Sequence, residues 1–265
     1  MEQVSVRVGT SSVTCGRRTS LLRCAQSHDR SEGEAVIEIT AAEIPELSRG
    51  DRGLLRKELA ALERQGFVLI PSLIDAAELV ELRTEYERLV AIGPPKGEEE
   101  PGARRGVADM DSVFGICWRH RVVLEAAAHV LGERFQASGV ELRDPVPGYG
   151  EQPLHADTRL GLNATWFLDA FTVDNGATRL LPQTHKPGVA IAGAGRIDPG
   201  PDEVTATGPA GSVLLRHTAL FHAGGRNSTD DWRRSAWTWF VHDFSRAQPG
   251  AATGTDADAS SRTPG

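Results

Sequence analysis

The 265 residues, 25% charged and 40% hydrophobic, have the composition of a globular chain long enough to bury one substantial core. A formal net charge of −7 with no basic stripe argues against a nucleic-acid partner, and no apolar run approaches the length of a membrane span. Cys15, Cys24 and Cys117 stand at uninformative spacing, which excludes a disulfide framework, and the N-terminus lacks a signal-peptide apolar region, so a cytoplasmic location is expected.

Residues 1–35, rich in Ser, Thr, Gly and Arg without periodicity, read as a disordered leader, and residues 248–265 as a disordered tail. One domain is expected over 36–247. Leu54, Leu55, Leu59 and Leu62 recur at helical spacing and Gly66 stops that helix. Phe67-Val68-Leu69-Ile70 follows as a short buried strand. Asp75 with Glu78 three residues later is a capping box, and it starts a helix with Leu79, Leu82, Tyr86 and Leu89 on its inner face. Gly93 to Gly106 is too polar and broken for an element, and Val122 to Val130 forms a helix closed by Gly132. Strands then dominate: Phe135 to Arg143, Thr165 to Thr172, Ala177 to Pro182, Gly211 to Leu215 and Ser235 to Val241. Helices first and strands after give an α+β order. The expected product is a double-stranded β-helix (a jelly roll, cupin-like barrel) braced by N-terminal helices.

The chemistry-bearing residues are His155-Ala156-Asp157 and, far along the chain, His222. A His-x-Asp pair with a second distant His is the protein half of a 2-His-1-carboxylate facial triad, which holds non-haem Fe(II) with coordination positions left open. On one extended strand the two-residue step would point His155 and Asp157 to the same side. His222 would have to come from another strand. Eight histidines make an isolated pair of this kind weak, so its surroundings matter.

Those surroundings fall in a definite order. Gly66-Phe67-Val68-Leu69-Ile70-Pro71 opens the domain, and Trp166 to Thr172 leads into Asn175-Gly176-Ala177-Thr178-Arg179-Leu180-Leu181-Pro182-Gln183-Thr184-His185. Gly211 to Leu215 leads to Phe221-His222-Ala223-Gly224-Gly225-Arg226-Asn227-Ser228, and Arg233 lies eleven residues after His222. From Gly66 to about Phe244 the chain resembles the phytanoyl-CoA dioxygenase-like family of Fe(II)/2-oxoglutarate oxygenases. The resemblance implies a jelly-roll enzyme that uses Fe(II), 2-oxoglutarate and O2, with His155, Asp157 and His222 as metal ligands. It also implies hydroxylation, desaturation or cyclisation of a small organic metabolite, with release of succinate and CO2, in a monomer or homodimer. In related halogenases the position of Asp157 is Ala or Gly, so a carboxylate there favours hydroxylation or desaturation.

By the same resemblance Arg233 grips the distal carboxylate of 2-oxoglutarate, a task suited to a guanidinium fork. Neighbours on a strand point to opposite faces, so only one of Arg233 and Arg234 can face inward, and the family spacing selects Arg233. Gln152 and Thr178 match positions that help bind 2-oxoglutarate in some members, with a structural role as the equal alternative. The Asn175-Gly176 pair is a turn with positive φ and carries no chemistry. Two departures stand out. The usual Pro-Gly-Ser-His run is here Pro182-Gln183-Thr184-His185, so the turn lacks its glycine. Where the family often has Asp, this chain has His217, which competes with His222 for the ligand role; the Gly-x-Asn-Ser segment directly after His222 and the opposite strand parity of His217 favour His222. Residues 93–106 and 188–210 are the expected lid segments. Two other readings share the barrel: a cupin-type metalloenzyme that needs no 2-oxoglutarate, and a catalytically silent binding module.

Overall fold

The computed structural model describes residues 36–93, 100–157, 161–189 and 194–242, together with the backbone of Arg7–Val8, Ser11–Ser12 and Cys24–Ala25. The expected leader, apart from those three dipeptides, and the expected tail lie outside the described residues. The strands are β1 (Val36–Thr40), β2 (Phe67–Ile70), β3 (Ala103–Ala108), β4 (Arg134–Ala137), β5 (Val140–Pro145), β6 (Gly161–Phe167), β7 (Arg179–Leu180), β8 (Val204–Thr205), β9 (Val213–His217), β10 (His222–Ala223) and β11 (Ser235–Val241). The helices are α1 (Ile44–Leu47), α2 (Arg56–Gln65), α3 (Ala76–Ile92), α4 (Gly115–Arg119) and α5 (Arg121–Leu131).

A large antiparallel sheet runs in the order Cys24–Ala25, β1, β4, β11, β6, β9, β2, and a branch adds β5 and β3 beside β11. A small antiparallel sheet, β8-β7-β10, faces it and is extended by a bridge between His155 and His222. This is the expected jelly roll, with helices on the outer face of the large sheet. Its hydrogen bonds do not close into a continuous barrel among the described residues.

Strand β6 explains how the layers hold together. All seven of its residues are buried, yet the two faces differ. Leu162, Ala164 and Trp166 join the core under the helices, with Tyr86, Trp118 and Phe135. Phe167 turns the other way and stacks on Phe171 at 3.6 Å between ring centroids, in a second core between the sheets with Leu180, Leu214 and Leu220. Each of these fully buried side chains contributes roughly 1.5–3 kcal/mol through removal from water. Trp166 can be buried because its indole N–H donates to the Cys117 carbonyl at 2.9 Å.

Several expected elements are present with moved edges. Helix α2 begins at Arg56, so Leu55 precedes it and is 43% exposed; Gly66 ends it at φ 86°. The Asp75–Glu78 capping box forms reciprocally at 2.9 and 3.2 Å. Strand β2 alternates between buried and half-buried residues and is not wholly buried. The strand expected over Phe135 to Arg143 breaks at Ser138-Gly139, where β11 changes partner from β5 to β4 and Trp239 donates its backbone N–H to the Ser138 hydroxyl. The strand expected over Thr165 to Thr172 instead ends at Phe167, because Arg83 and Arg234 draw Leu168 and Asp169 out of the sheet. Residues expected to form an irregular segment up to Gly106 contain β3. Its arginines are tolerated because Arg104 pairs with Asp144 and Glu87, and Arg105 with Glu141. No helix among the described residues is long and apolar enough to cross a membrane.

Candidate metal centre

His155, Asp157 and His222 converge between the two sheets, their donor atoms all within 4.8 Å of one another. Backbone pairing brings them together. His155 and His222 exchange both backbone hydrogen bonds, at 2.9 and 2.7 Å, while Asp157 donates its N–H to the Thr218 carbonyl at 3.0 Å. The short stretch around His155 therefore acts as an extra strand beside β10. The two-residue step to Asp157 keeps both side chains on one side, as the spacing predicts.

The imidazole rings are oriented by their own backbone. Nδ1 of His155 lies 2.7 Å from the Pro153 carbonyl, and Nδ1 of His222 lies 3.0 Å from the Leu220 carbonyl. A carbonyl oxygen only accepts, so each Nδ1 carries the proton and each Nε2 keeps its lone pair. Those Nε2 atoms face Asp157, at 3.7 Å for His155 and 3.6 Å for His222. Cis ligands of a first-row divalent ion, with bonds of roughly 2.1 Å, stand about 3 Å apart, so each carboxylate–imidazole separation would shorten by about 0.6–0.7 Å on closing around the ion. The protonation states suit ligation as well. Burial, reinforced by Arg216, pulls His222 down to about 3 and keeps it neutral. Burial acts to raise Asp157, but Arg216, through its charge and its hydrogen bond, outweighs it and holds the carboxyl below its ordinary value.

The same cavity, open on one side, is lined by Gln152, Thr178 and Arg233, and by Phe171, Trp237 and Trp239. Arg233 is 3% exposed and has no carboxylate within ion-pair distance among the described residues. Its Nη1 donates to the Gly176 carbonyl, its guanidinium lies 4.2 Å over the Phe171 ring, and its Nε has no partner. Burial, with Arg143 nearby, draws its pKa down to about 9, the signature of a cation placed where no anion yet answers it. Arg234 turns outward and holds Asp169 with two bonds of 2.8 and 2.9 Å. Gln152, in the cavity wall, accepts from the Gly224 N–H at 3.0 Å through its amide oxygen, and its amide nitrogen is a donor.

His217 is not in the cluster. It stacks on His185 at 4.8 Å, on the opposite side of β9. The Asn175-Gly176 turn has more to do than the sequence reading allowed. Gly176 has φ 78°, and a Cβ there would lie 2.4 Å from the Gly225 carbonyl oxygen, so only glycine brings its own carbonyl to Arg233. Sequence reasoning missed Arg216, whose Nη1 donates to Asp157 Oδ2 at 2.8 Å. Arg143, which the sequence offers as a partner for an anionic substrate with a surface position as the default, is buried in the cavity wall and paired with Glu100. For Arg216 a signal existed: an arginine in register with Leu214 closes an apolar strand, and period-two alternation sends both inward.

The phytanoyl-CoA dioxygenase family model matches residues 62–235. Among curated proteins, dioxygenase af480 of Aspergillus fumigatus is 26% identical over 235 residues, covering 77% of this chain and 75% of its own. Dioxygenase trt7 of Aspergillus terreus is 38% identical over 79 residues, 29% of this chain and only 26% of its own length. Among solved structures, HygX from Streptomyces hygroscopicus, with nickel, 2-oxoglutarate and hygromycin B bound, superposes with a TM-score of 0.61 at 18% identity, covering 72% of this chain and 88% of its own. The epimerase SnoN, in complex with Fe3+, alpha-ketoglutarate and nogalamycin RO, gives 0.56 at 19% identity, covering 76% and 91%.

Proposed function

The chain belongs to the phytanoyl-CoA dioxygenase family, and from that premise we propose an Fe(II)- and 2-oxoglutarate-dependent oxygenase in which His155, Asp157 and His222 hold the metal and Arg233 anchors the cosubstrate. One observation carries this reading: a triad with two inward Nε2 lone pairs shares a single cavity with a buried guanidinium that has no carboxylate partner among the described residues. Iron with 2-oxoglutarate and O2 supplies, when bound, the oxidising power to break a substrate C–H bond with release of succinate and CO2.

The residues of the chain bind, orient and shield. The Pro153 and Leu220 carbonyls hold both imidazoles in the tautomer that presents Nε2. Arg233, steadied by Gly176 and Phe171, offers a charge-assisted fork to the distal carboxylate of 2-oxoglutarate. Thr178 and the Gln152 amide nitrogen add neutral hydrogen bonds to the same cosubstrate. Phe171, Trp237 and Trp239 exclude water from the wall where substrate would lie. A carboxylate at 157 occupies the space a halide would need, which supports hydroxylation, or the related desaturation or cyclisation. The hygromycin B and nogalamycin RO in the HygX and SnoN complexes support a small organic metabolite as substrate. The enzyme is proposed to act in the cytoplasm as a monomer or homodimer.

Adding Fe(II) and 2-oxoglutarate without oxygen tests the reading. The expected result is a weak visible charge-transfer band, followed by succinate when oxygen is admitted. Metal uptake without the band would favour a cupin-type enzyme, and no metal uptake a silent binding module; either outcome overturns the proposal.

A further inference from the structure

The inner face of the large sheet carries a row of side chains that the metal and cosubstrate do not use. Register places Arg216 on β9 opposite Asn163 on β6, and Asn163 opposite Trp239 on β11, so the three form one line across the sheet beside Asp157. The Arg216 side chain is 6% exposed, lines the cavity, and lies 5.6 Å from the Trp239 ring. Among the described residues only its Nη1 is engaged, on Asp157. Asn163 is fully buried; its carbonyl oxygen accepts from Thr165 at 2.7 Å and its amide nitrogen has no partner. The row is thus rich in donors and short of acceptors.

Formal charge sharpens the point. A divalent iron, the Asp157 carboxylate, a doubly negative 2-oxoglutarate and Arg233 together sum to zero, and Glu100 cancels Arg143. The two acidic residues on β5 are also taken, Glu141 by Arg105 and Asp144 by Arg104. Once the charge of Asp157 is shared with the metal, Arg216 is, among the described residues, the cation left over in a partly desolvated cavity, an arrangement that costs free energy unless an anion completes it. We propose that Arg216 is the specificity-determining residue of this site and that the substrate is an anionic small molecule whose carboxylate pairs with Arg216 while its planar part lies against Trp239. This rests on the oxygenase reading above and adds the substrate class to it. The free Nε and Nη2 of Arg216 would form the carboxylate fork, leaving Nη1 on Asp157.

The test uses the full chain in its anaerobic Fe(II)–2-oxoglutarate form, so that Arg233 is already occupied. Matched acids and amides (benzoate and benzamide, phenylacetate and phenylacetamide, indole-3-acetate and indole-3-acetamide) are titrated while the charge-transfer band and tryptophan fluorescence are followed. At least one acid is expected to saturate at about tenfold or more lower concentration than its amide. Arg216→Gln, titrated at iron and 2-oxoglutarate concentrations that restore a full band, should lose that preference, and Arg216→Lys should keep part of it. Trp239→Ala should weaken acid and amide alike. Acids binding no tighter than amides in all three pairs, or an acid preference that survives Arg216→Gln, overturns the proposal. Absence of the band in the parent protein instead overturns the oxygenase reading, so the two failures are distinguishable.

Discussion

Replacing Arg233 by alanine separates two effects that a merely structural arginine would not separate. In the folded protein this guanidinium contributes a hydrogen bond to the Gly176 carbonyl and a cation–π contact with Phe171. Together these are worth about 2–4 kcal/mol. Against them stands the cost of holding a charge, 3% exposed, with no carboxylate partner among the described residues, which is several kcal/mol. The two nearly cancel, so the stability of Arg233→Ala without ligands should stay within about 1–2 kcal/mol of the parent. Cosubstrate binding has no such compensation. Loss of a charge-assisted two-point contact in a partly desolvated cavity should cost about 2–4 kcal/mol, on the order of 30- to 1000-fold in 2-oxoglutarate affinity. Anaerobic titration of the charge-transfer band measures the affinity, and thermal unfolding with and without 2-oxoglutarate measures the stability, because a ligand that binds only the folded state raises its midpoint. Lysine at 233 should recover part of the affinity by restoring charge without the fork. Arg234→Ala should leave the affinity unchanged, since that side chain is committed to Asp169. Equal 2-oxoglutarate affinity in Arg233→Ala and the parent would refute the argument.

Three further predictions concern the ligand set, a strained turn and acid stability. His155→Ala, Asp157→Ala and His222→Ala should each abolish succinate formation with the fold retained by circular dichroism, whereas His217→Ala should leave most activity because it stacks on His185 instead; the reverse result for the last two histidines would show that the wrong one has been chosen. Gln183 sits at φ 69°, in the left-handed region where a Cβ costs about 1–2 kcal/mol, so Gln183→Gly should stabilise the protein by roughly 0.5–1 kcal/mol after glycine's extra chain entropy is subtracted. Denaturant unfolding reads this, and a destabilised variant would show that the Gln183 side chain matters more than its backbone. Burial holds His120 and His217 neutral, pulling each down to about 4. The unfolded chain therefore binds more protons than the folded one between about pH 6.5 and pH 4, and each histidine should remove about 1.4 kcal/mol of stability per pH unit as pH falls through that window. His120→Asn, which keeps an acceptor for the Val122 N–H, should flatten the slope by one histidine's share; an unchanged slope would rule out its neutral burial as a cause.

The order of elements, the capping box at Asp75, the glycine stops at Gly66 and Gly132 and the strand Ser235–Val241 were all legible in the residues, because each depends on interactions within a few positions of chain. The spacing of His155 and Asp157 was legible for the same reason, since a two-residue step fixes a common side wherever the backbone is extended. What the local pattern could not decide was where charge would be neutralised across the sheet. Arg104 and Arg105 made a strand look like a loop until Asp144, Glu87 and Glu141 were brought opposite them. Arg216 gave no sign that it would meet Asp157, because that contact joins residues of different strands through register and twist. The choice of His222 over His217 rested on parity in the sequence and on position in the structure, where the backbone bridge to His155 places one imidazole beside Asp157 and the other beneath the turn at His185. Short-range hydrogen bonds and periodicity act along the chain; ion pairs between distant strands exist only after the sheets have closed, and so only the tertiary structure could supply them.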